Sequence, residues 1–315
     1  MRDRPQHVVV LGGSGFVGRY LVPQLAAAGH RITVVTRRRE EARHLILLPT
    51  VEVVEGDPFD AAALATRARD AACVVNLVGI LNESGRETFD RVHVEGARNV
   101  VDGCRRAGVA RLLHMSAINA DPAGPSRYLR SKGEAEAIVA DSGLAWTIFR
   151  PSVLFGREDA FLNLFATLMR RLPIIALAAS NAKFQPIHVA DVARCFVHAL
   201  GDDATIRERY NLCGPKVYTL AELVRYVGAV TGAPRRIVPL GAGLSALQAR
   251  VFELLPGPLL SRDNLASMAK DAVCGSEFPR VFGVTPVALE VAAPEWLAPE
   301  RAHSRFDPLR AQGRR

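Results

Sequence analysis

Tyr128 and Lys132 stand four residues apart in Tyr128-Leu-Arg-Ser-Lys132, a spacing that puts both on one face of a helix. An ammonium beside a phenol favours the phenolate and draws the phenol pKa toward neutrality. Such a phenol can exchange a proton with a carbonyl or hydroxyl while a nicotinamide exchanges hydride. Upstream, Ser116 closes the apolar run Arg111-Leu-Leu-His-Met-Ser116 and supplies a hydroxyl that would orient the substrate oxygen. The same pair can also bind a nicotinamide ribose without catalysing anything. A Tyr-x-x-x-Lys spacing is common by chance, so its meaning depends on what precedes it.

What precedes it is a strand, a glycine turn and a helix. His7-Val-Val-Val-Leu11 enters Gly12-Gly13-Ser14-Gly15-Phe16-Val17-Gly18 and leaves through Tyr20, Leu21, Val22, Leu25 and Ala26 at helical spacing. The turn fits both G-x-G-x-x-G (Gly13, Gly15, Gly18) and G-x-x-G-x-x-G (Gly12, Gly15, Gly18). Gly12 is expected to turn the chain, Gly15 to admit a pyrophosphate, and Gly18 to let helix pack on strand. Ser14, Phe16 and Val17 complete the turn, and amides at the new helix N-terminus face the phosphates.

The rest of the first half alternates strands and helices. Arg31–Thr36 is a second strand that ends in Arg37 and Arg38 with no acidic residue. Arginine there suits a 2′-phosphate, so NADP(H) is expected over NAD(H). The alternative is a solvated helix start in which Glu40 and Glu41 pair with the arginines. Val51–Glu55 is a third strand, followed by Asp57 and Pro58; Asp57 either meets the adenine edge or caps a helix. Cys73–Gly79 is a fourth strand, with Leu77, Val78 and Gly79 beside the cofactor. A helix spans about 89–108, Arg111–Ser116 is strand five, Tyr128 opens a helix, and Leu144–Arg150 is strand six. Pro151 and Val153 follow it into the same ligand-binding edge. This rhythm predicts an α/β fold, a doubly wound parallel sheet of Rossmann type. Residues 1–150 form the nucleotide domain, with 184–213 returning to it. Residues 151–183 and 214–300 form a smaller, mostly helical domain, and 301–315 a disordered basic tail.

The 315 residues are 49% apolar and 23% charged, as in ordinary globular proteins. The five cysteines are scattered without a C-x-x-C, which predicts a reducing compartment, no disulfide and no metal site. No signal peptide or bilayer-spanning stretch is evident, so the chain reads as cytoplasmic. The net charge is +8, but among the 40 basic residues only Lys132, Lys183, Lys216 and Lys270 are lysines. Such arginine skew reflects a GC-rich genome, and no nucleic-acid partner is expected. His93, His114, His188 and Asp191 read as core or capping residues. The apolar stretch Leu244–Leu260 reads as a lid or core helix, with a membrane-surface or quinone-facing role as the alternative.

The glycine turn, Asp57, Tyr128-x-x-x-Lys132 and Arg150-Pro151-Ser152 resemble the extended and atypical short-chain dehydrogenase/reductases. Ser126–Glu136, Phe155-Gly-Arg-Glu-Asp-Ala-Phe-Leu-Asn163, Gln185–Ala193, Gly214-Pro215 with Thr219-Leu220, and Leu254–Leu260 narrow the likeness. They are similar to the atypical subfamily of the nucleotide-binding accessory subunit of respiratory complex I and its bacterial relatives. The resemblance spans about residues 7–298 and implies an NADPH-binding domain closed by a smaller one. It implies a structural nucleotide in the complex I relative and links other members to quinone biosynthesis or to NAD-dependent epimerase/dehydratase chemistry, so an oxidoreductase or epimerase acting on a carbonyl or hydroxyl is expected. A respiratory or quinone-synthesising complex, a quinone-like substrate and peripheral contact with the inner face of a membrane follow as candidate partners. Active extended enzymes carry paired hydroxyls after strand five, where this chain reads Ser116-Ala117. They also carry an asparagine where this chain has His93.

Overall fold

The structure, a computed structural model, describes residues 5–253 and 260–298. The expected tail at 301–315 and most of the Leu254–Leu260 motif lie outside those residues. The first half alternates β1 (His7–Leu11), α1 (Gly18–Ala27), β2 (Arg31–Thr36), β3 (Val51–Glu55), α2 (Ala61–Arg67), β4 (Cys73–Asn76), α3 (Gly96–Ala107), β5 (Arg111–Met115), α4 (Arg127–Ala140) and β6 (Ala145–Pro151). Then come β7 (Leu154–Phe155), α5 (Ala160–Arg171), β8 (Ile174–Leu177), β9 (Lys183–Phe184), β10 (Ile187–His188), α6 (Val189–Gly201) and β11 (Glu208–Leu212). Last are β12 (Tyr218–Thr219), α7 (Leu220–Val230), β13 (Arg236–Pro239), α8 (Ala242–Glu253) and α9 (Arg262–Met268).

Seven strands form one parallel sheet in the order β11-β6-β5-β4-β1-β2-β3. The chain changes direction between β1 and β4, where open parallel sheets bind ligands. The central strands read as continuous apolar runs because helices cover both faces. Val8 and Val10 pack with Leu21, Leu25 and Phe196 from α1 and α6, while Val9 and Leu11 pack with α2, α3 and α4. The seventh strand, β11, pairs with β6, so residues 184–213 supply a strand and a helix to this sheet.

A third core gathers Phe155, Phe165, Met169, Ile175, Leu223 and Val227 with residues near the C-terminus. Its helices start where side chains satisfy free amides: Asp159 accepts Leu162 N–H at 2.5 Å. Thr219 and Glu222 form a reciprocal capping box on α7. Beside this core, β8 and β13 form a parallel pair that the sequence reading did not anticipate.

The cysteine expectation needs correction. Cys213, at the end of β11, is bonded to Cys274, with Cα atoms 6.0 Å apart across a sequence separation of 61. Nothing in the spacing could show this, because the fold alone brings the segment after α9 to the end of β11. Cys73, Cys104 and Cys195 are free and buried. Among the described residues no helix is long and apolar enough to cross a membrane.

The glycine turn is built as its spacing requires. Gly12 has φ +76°, a conformation that side chains disfavour. A Cβ on Gly18 would lie 2.2 Å from the Gly13 carbonyl oxygen and 2.5 Å from its Cα, so α1 packs on the strand end only because that atom is missing. Gly18→Ala should therefore cost about 3 kcal/mol or more in urea unfolding; a midpoint equal to wild type would contradict this packing.

Candidate active site at the carboxyl edge of the sheet

The expected cofactor residues converge on one edge. A Cβ on Gly15 would meet only the Gly12 carbonyl oxygen, at 3.2 Å, so the turn's backbone stays open to a phosphate, as the glycine spacing requires. Ser14 Oγ lies 3.2 Å from Thr36 Oγ1, tying the turn to the end of β2. Phe16 sits edge-on to Tyr20, and Val17 begins α1. Leu77 N–H donates to Leu11 O, Val78 N–H to Asn76 Oδ1, and Gly79 follows. Pro151 O accepts Ile118 N–H, and Val153 O accepts Ile187 N–H.

The arginines beyond β2 are exposed. Arg37 is ion-paired with Glu87, and Arg38 lies 3.7 Å from Glu41. The alternative in which nearby glutamates pair with these arginines thus holds in part for Arg38, whereas Glu87 comes from a distant loop. Asp57 Oδ1 accepts Phe59 N–H at 2.9 Å, just before Pro58 turns the chain toward α2. That bond is local and leaves its second carboxylate oxygen uncommitted. The residues present fit a dinucleotide: an open turn, a basic strand end and an unencumbered carboxylate sit along one edge.

Tyr128 and Lys132 share the inward face of α4. Lys132 is buried, its Nζ donates to Met115 O at 3.2 Å, and a Cβ on Gly79 would lie 3.0 Å from that nitrogen. Tyr128 packs edge-on against Phe89 and His93. Burial sets the proton affinities here. It lowers Lys132 to about 8, against the raising effect of Glu136, and pushes Tyr128 up to about 12. The phenol is thus raised by loss of hydration, where the sequence led one to expect a fall toward neutrality.

Ser116 is engaged within the protein. Its hydroxyl donates to Glu136, whose carboxylate is held by Arg150, with Arg209 at 3.5 Å. Glu136 is buried one turn beyond Lys132, so this network gives the Ser116 hydroxyl a carboxylate partner. The Glu136 position at i+4 from Lys132 was a readable signal, and the sequence reading missed it.

His93 occupies a π-helical run, Asp90–Glu95, leading into α3; such widened turns often mark functional sites. Its Nε2 accepts Ile80 N–H at 3.1 Å, so Nδ1 carries the proton and donates to Ser131 Oγ at 2.8 Å. Ser131 in turn donates to Tyr128 O. His114 Nδ1 accepts from Asn76 Nδ2, whose Oδ1 is occupied by Val78 N–H. The expectation of core histidines agrees with these contacts. His188 packs against Tyr20, Phe155 and Trp296, while Asp191 pairs with Arg194 and accepts Val287 N–H. His188 and Asp191 therefore pack and brace α6.

The segment 261–274 closes over α4. Asp263 accepts the N–H groups of Arg127 and Tyr128 at 2.7 and 3.1 Å, satisfying amides that a helix start leaves free. Asp271 O accepts from Asn119 Nδ2, Ala272 O from Ser152 Oγ, and Gln185 Oε1 accepts Cys274 N–H. Asp263 was not legible from sequence, since 135 residues separate it from Tyr128. On the other side of the turn, Tyr20 donates to Glu158 and accepts Arg157 N–H. Gly156, whose Cβ would meet Val189 and the Phe16 ring, lets that motif approach α1.

Burial, reinforced by Lys132, lowers His93 to about 2 and His114 to about 3. Both histidines titrate near 6.5 in an unfolded chain, so unfolding takes up protons below that pH and stability falls as pH drops. Each should contribute a slope of about 1.4 kcal/mol per pH unit between roughly 6 and 4. Urea midpoints from pH 8 to 5 should show this loss, and H114Q should flatten it; an unchanged slope would count against a neutral buried His114.

A profile of the NAD(P)H-binding family matches residues 12–203. The mouse mitochondrial NADH dehydrogenase [ubiquinone] 1 alpha subcomplex subunit 9 is 31% identical over 93% of this chain and 80% of its own. A ceramide reductase of Caulobacter vibrioides is 32% identical over 74% of this chain and 73% of its own. The NADPH complex of the Escherichia coli quinone oxidoreductase QOR2 superposes with TM-score 0.75 at 19% identity, covering 92% and 99% of the two chains. The chain therefore belongs to the NAD(P)H-binding family, in the short-chain-dehydrogenase-like branch that contains the alpha subcomplex subunit 9 proteins of respiratory complex I.

Proposed function

We propose that this protein is an NADP(H)-dependent oxidoreductase that reduces a carbonyl, quinone-like or otherwise apolar, with Tyr128 as proton donor and Lys132 holding the nicotinamide ribose. The observation that carries this reading is the Tyr128–Lys132 pair itself, on one face of α4, with Tyr128 half-buried and Lys132 buried against Gly79 at the carboxyl edge of the sheet. Among the described residues Lys132 has one protein acceptor, Met115 O, and an ammonium has three donors, which leaves donors for ribose hydroxyls. The turn 12–18 would hold the pyrophosphate, with Ser14, Phe16 and Val17 shaping it. Asp57 and Pro58 would border the adenine, and Leu77, Val78, Gly79, Pro151 and Val153 the nicotinamide. Arg37 and Arg38 would take the 2′-phosphate, with Arg37 exchanging Glu87 for it.

The nicotinamide supplies the hydride when bound. A phenol held near 12 is protonated at neutral pH, which suits it to give a proton to a carbonyl oxygen as hydride reaches the carbon. The Asp263 and Ser131 bonds hold the backbone of Tyr128 and so position the ring.

A second reading makes the protein a nucleotide-loaded accessory or assembly factor of a respiratory or quinone-synthesising complex. It is supported by the 261–274 segment closed over α4, by Ser116 held on Glu136, and by the respiratory subunit named among the relatives.

Nucleotide release and turnover separate the two. An enzyme exchanges NADPH rapidly, and Tyr128→Phe should lower kcat by roughly 10²–10⁴-fold with little change in NADPH affinity. A structural cofactor survives gel filtration at one per chain and Tyr128→Phe changes nothing. R37A/R38A should weaken NADPH about tenfold or more while sparing NADH; equal loss of both would remove the 2′-phosphate assignment. Failure to bind either nucleotide would sink both readings.

A further inference from the structure

Helix α8 is turned inside out. Its buried residues are small, Ser245 and Ala249, while Leu244, Leu247 and Val251 lie outward, each more than half exposed. Burying the large aliphatic face would be the usual arrangement for a helix on a protein surface. Gln248 Nε2 donates to Ala176 O at 3.0 Å, which fixes α8 alongside β8.

Alongside α8, the β8–β13 pair exposes a further row of residues. In that parallel register Ile174 sits beside Arg236, and Ala176 beside Val238; all four are exposed. Leu172 is exposed just before β8, next to Arg170 and Arg171 at the end of α5. Arg235 reaches back to Met169 O, which draws the arginine pairs together. Neither 160–180 nor 232–252 contains an aspartate or glutamate, and Glu253, which ends α8, is held by Arg262. Among the described residues Arg170, Arg171, Arg235 and Arg236 have no carboxylate partner. An apolar patch rimmed by one sign of charge is the signature of an interaction surface.

We propose that this face, α8 with the outer side of β8 and β13, lies on an anionic lipid surface. The arginines meet lipid phosphates, and Leu244, Leu247 and Val251 enter the boundary between headgroups and acyl chains. The charge pattern selects this occupant. A second copy of the same face would bring arginine against arginine. A nucleic acid would want aromatic platforms, and the exposed large apolar residues of this face are all aliphatic. The assignment stands apart from whether Tyr128 turns over substrate.

The full chain, with its nucleotide-binding capacity checked by NADPH fluorescence, is floated with phosphatidylglycerol–phosphatidylcholine vesicles and with phosphatidylcholine vesicles alone. It should float with the first, weaken as salt rises, and stay behind with the second. R170Q/R171Q should reduce vesicle affinity by roughly fivefold per arginine. L244S/L247S/V251S should abolish retention, and both variants should bind NADPH as wild type does. Absence of anionic-vesicle binding with intact NADPH binding overturns the proposal and leaves an acidic protein as the occupant. Binding that survives both variants, or is equal on neutral vesicles, overturns it as well.

Discussion

The contact on which the remainder depends is the backbone approach of Gly18 to Gly13. Helix α1 can begin where it does only because no Cβ stands between them. That placement aims the first helical amides at the edge shared by β1 and β4, and it brings α1 onto α6 across the buried face of β1. α6 in turn follows β10 and precedes β11, so the return of the chain to the sheet rests on the same packing. The motif at 155–159 then closes on Phe16 and Tyr20, with Gly156 again allowing the approach. Glycine is used here for proximity more than for freedom of φ.

Around Tyr128 and Lys132, loss of hydration governs the electrostatics. Two histidines are held neutral, a lysine is brought to about 8 and a tyrosine to about 12. These shifts all favour the uncharged form, as burial does. Glu136, the one buried carboxylate near Lys132, is saturated by Arg150 and Ser116 and so is a distant counter-charge instead of a contact. The site is therefore poised as a proton-holding pocket, consistent with a phenol that gives a proton and does not start as phenolate.

The enzyme and accessory readings differ in what the 261–274 segment does. Its hydrogen bonds to Arg127, Tyr128, Asn119 and Ser152, with the Cys213–Cys274 bond, fix the helix that carries Tyr128. The same bonds would orient a catalytic ring and would retain a bound nucleotide. Preorganisation and retention are here one physical property of this segment.

The sequence by itself determined the elements whose signals are local. Apolar runs marked the central strands, the strand–helix rhythm marked β1 to β6, and glycine spacing marked the turn. It also determined that Tyr128 and Lys132 share a face, because four residues on a helix leave no other choice. Tertiary structure alone decided which groups meet across long separations. It gave the Ser116 hydroxyl to Glu136, Glu87 to Arg37, the α4 amides to Asp263, and Cys213 to Cys274. It also decided the direction of the Tyr128 shift, since burial depends on everything that packs around a ring while residue spacing records only one neighbour. The inverted face of α8 belongs to the same class: periodicity finds an apolar stripe, and only packing shows that the stripe faces away from the protein.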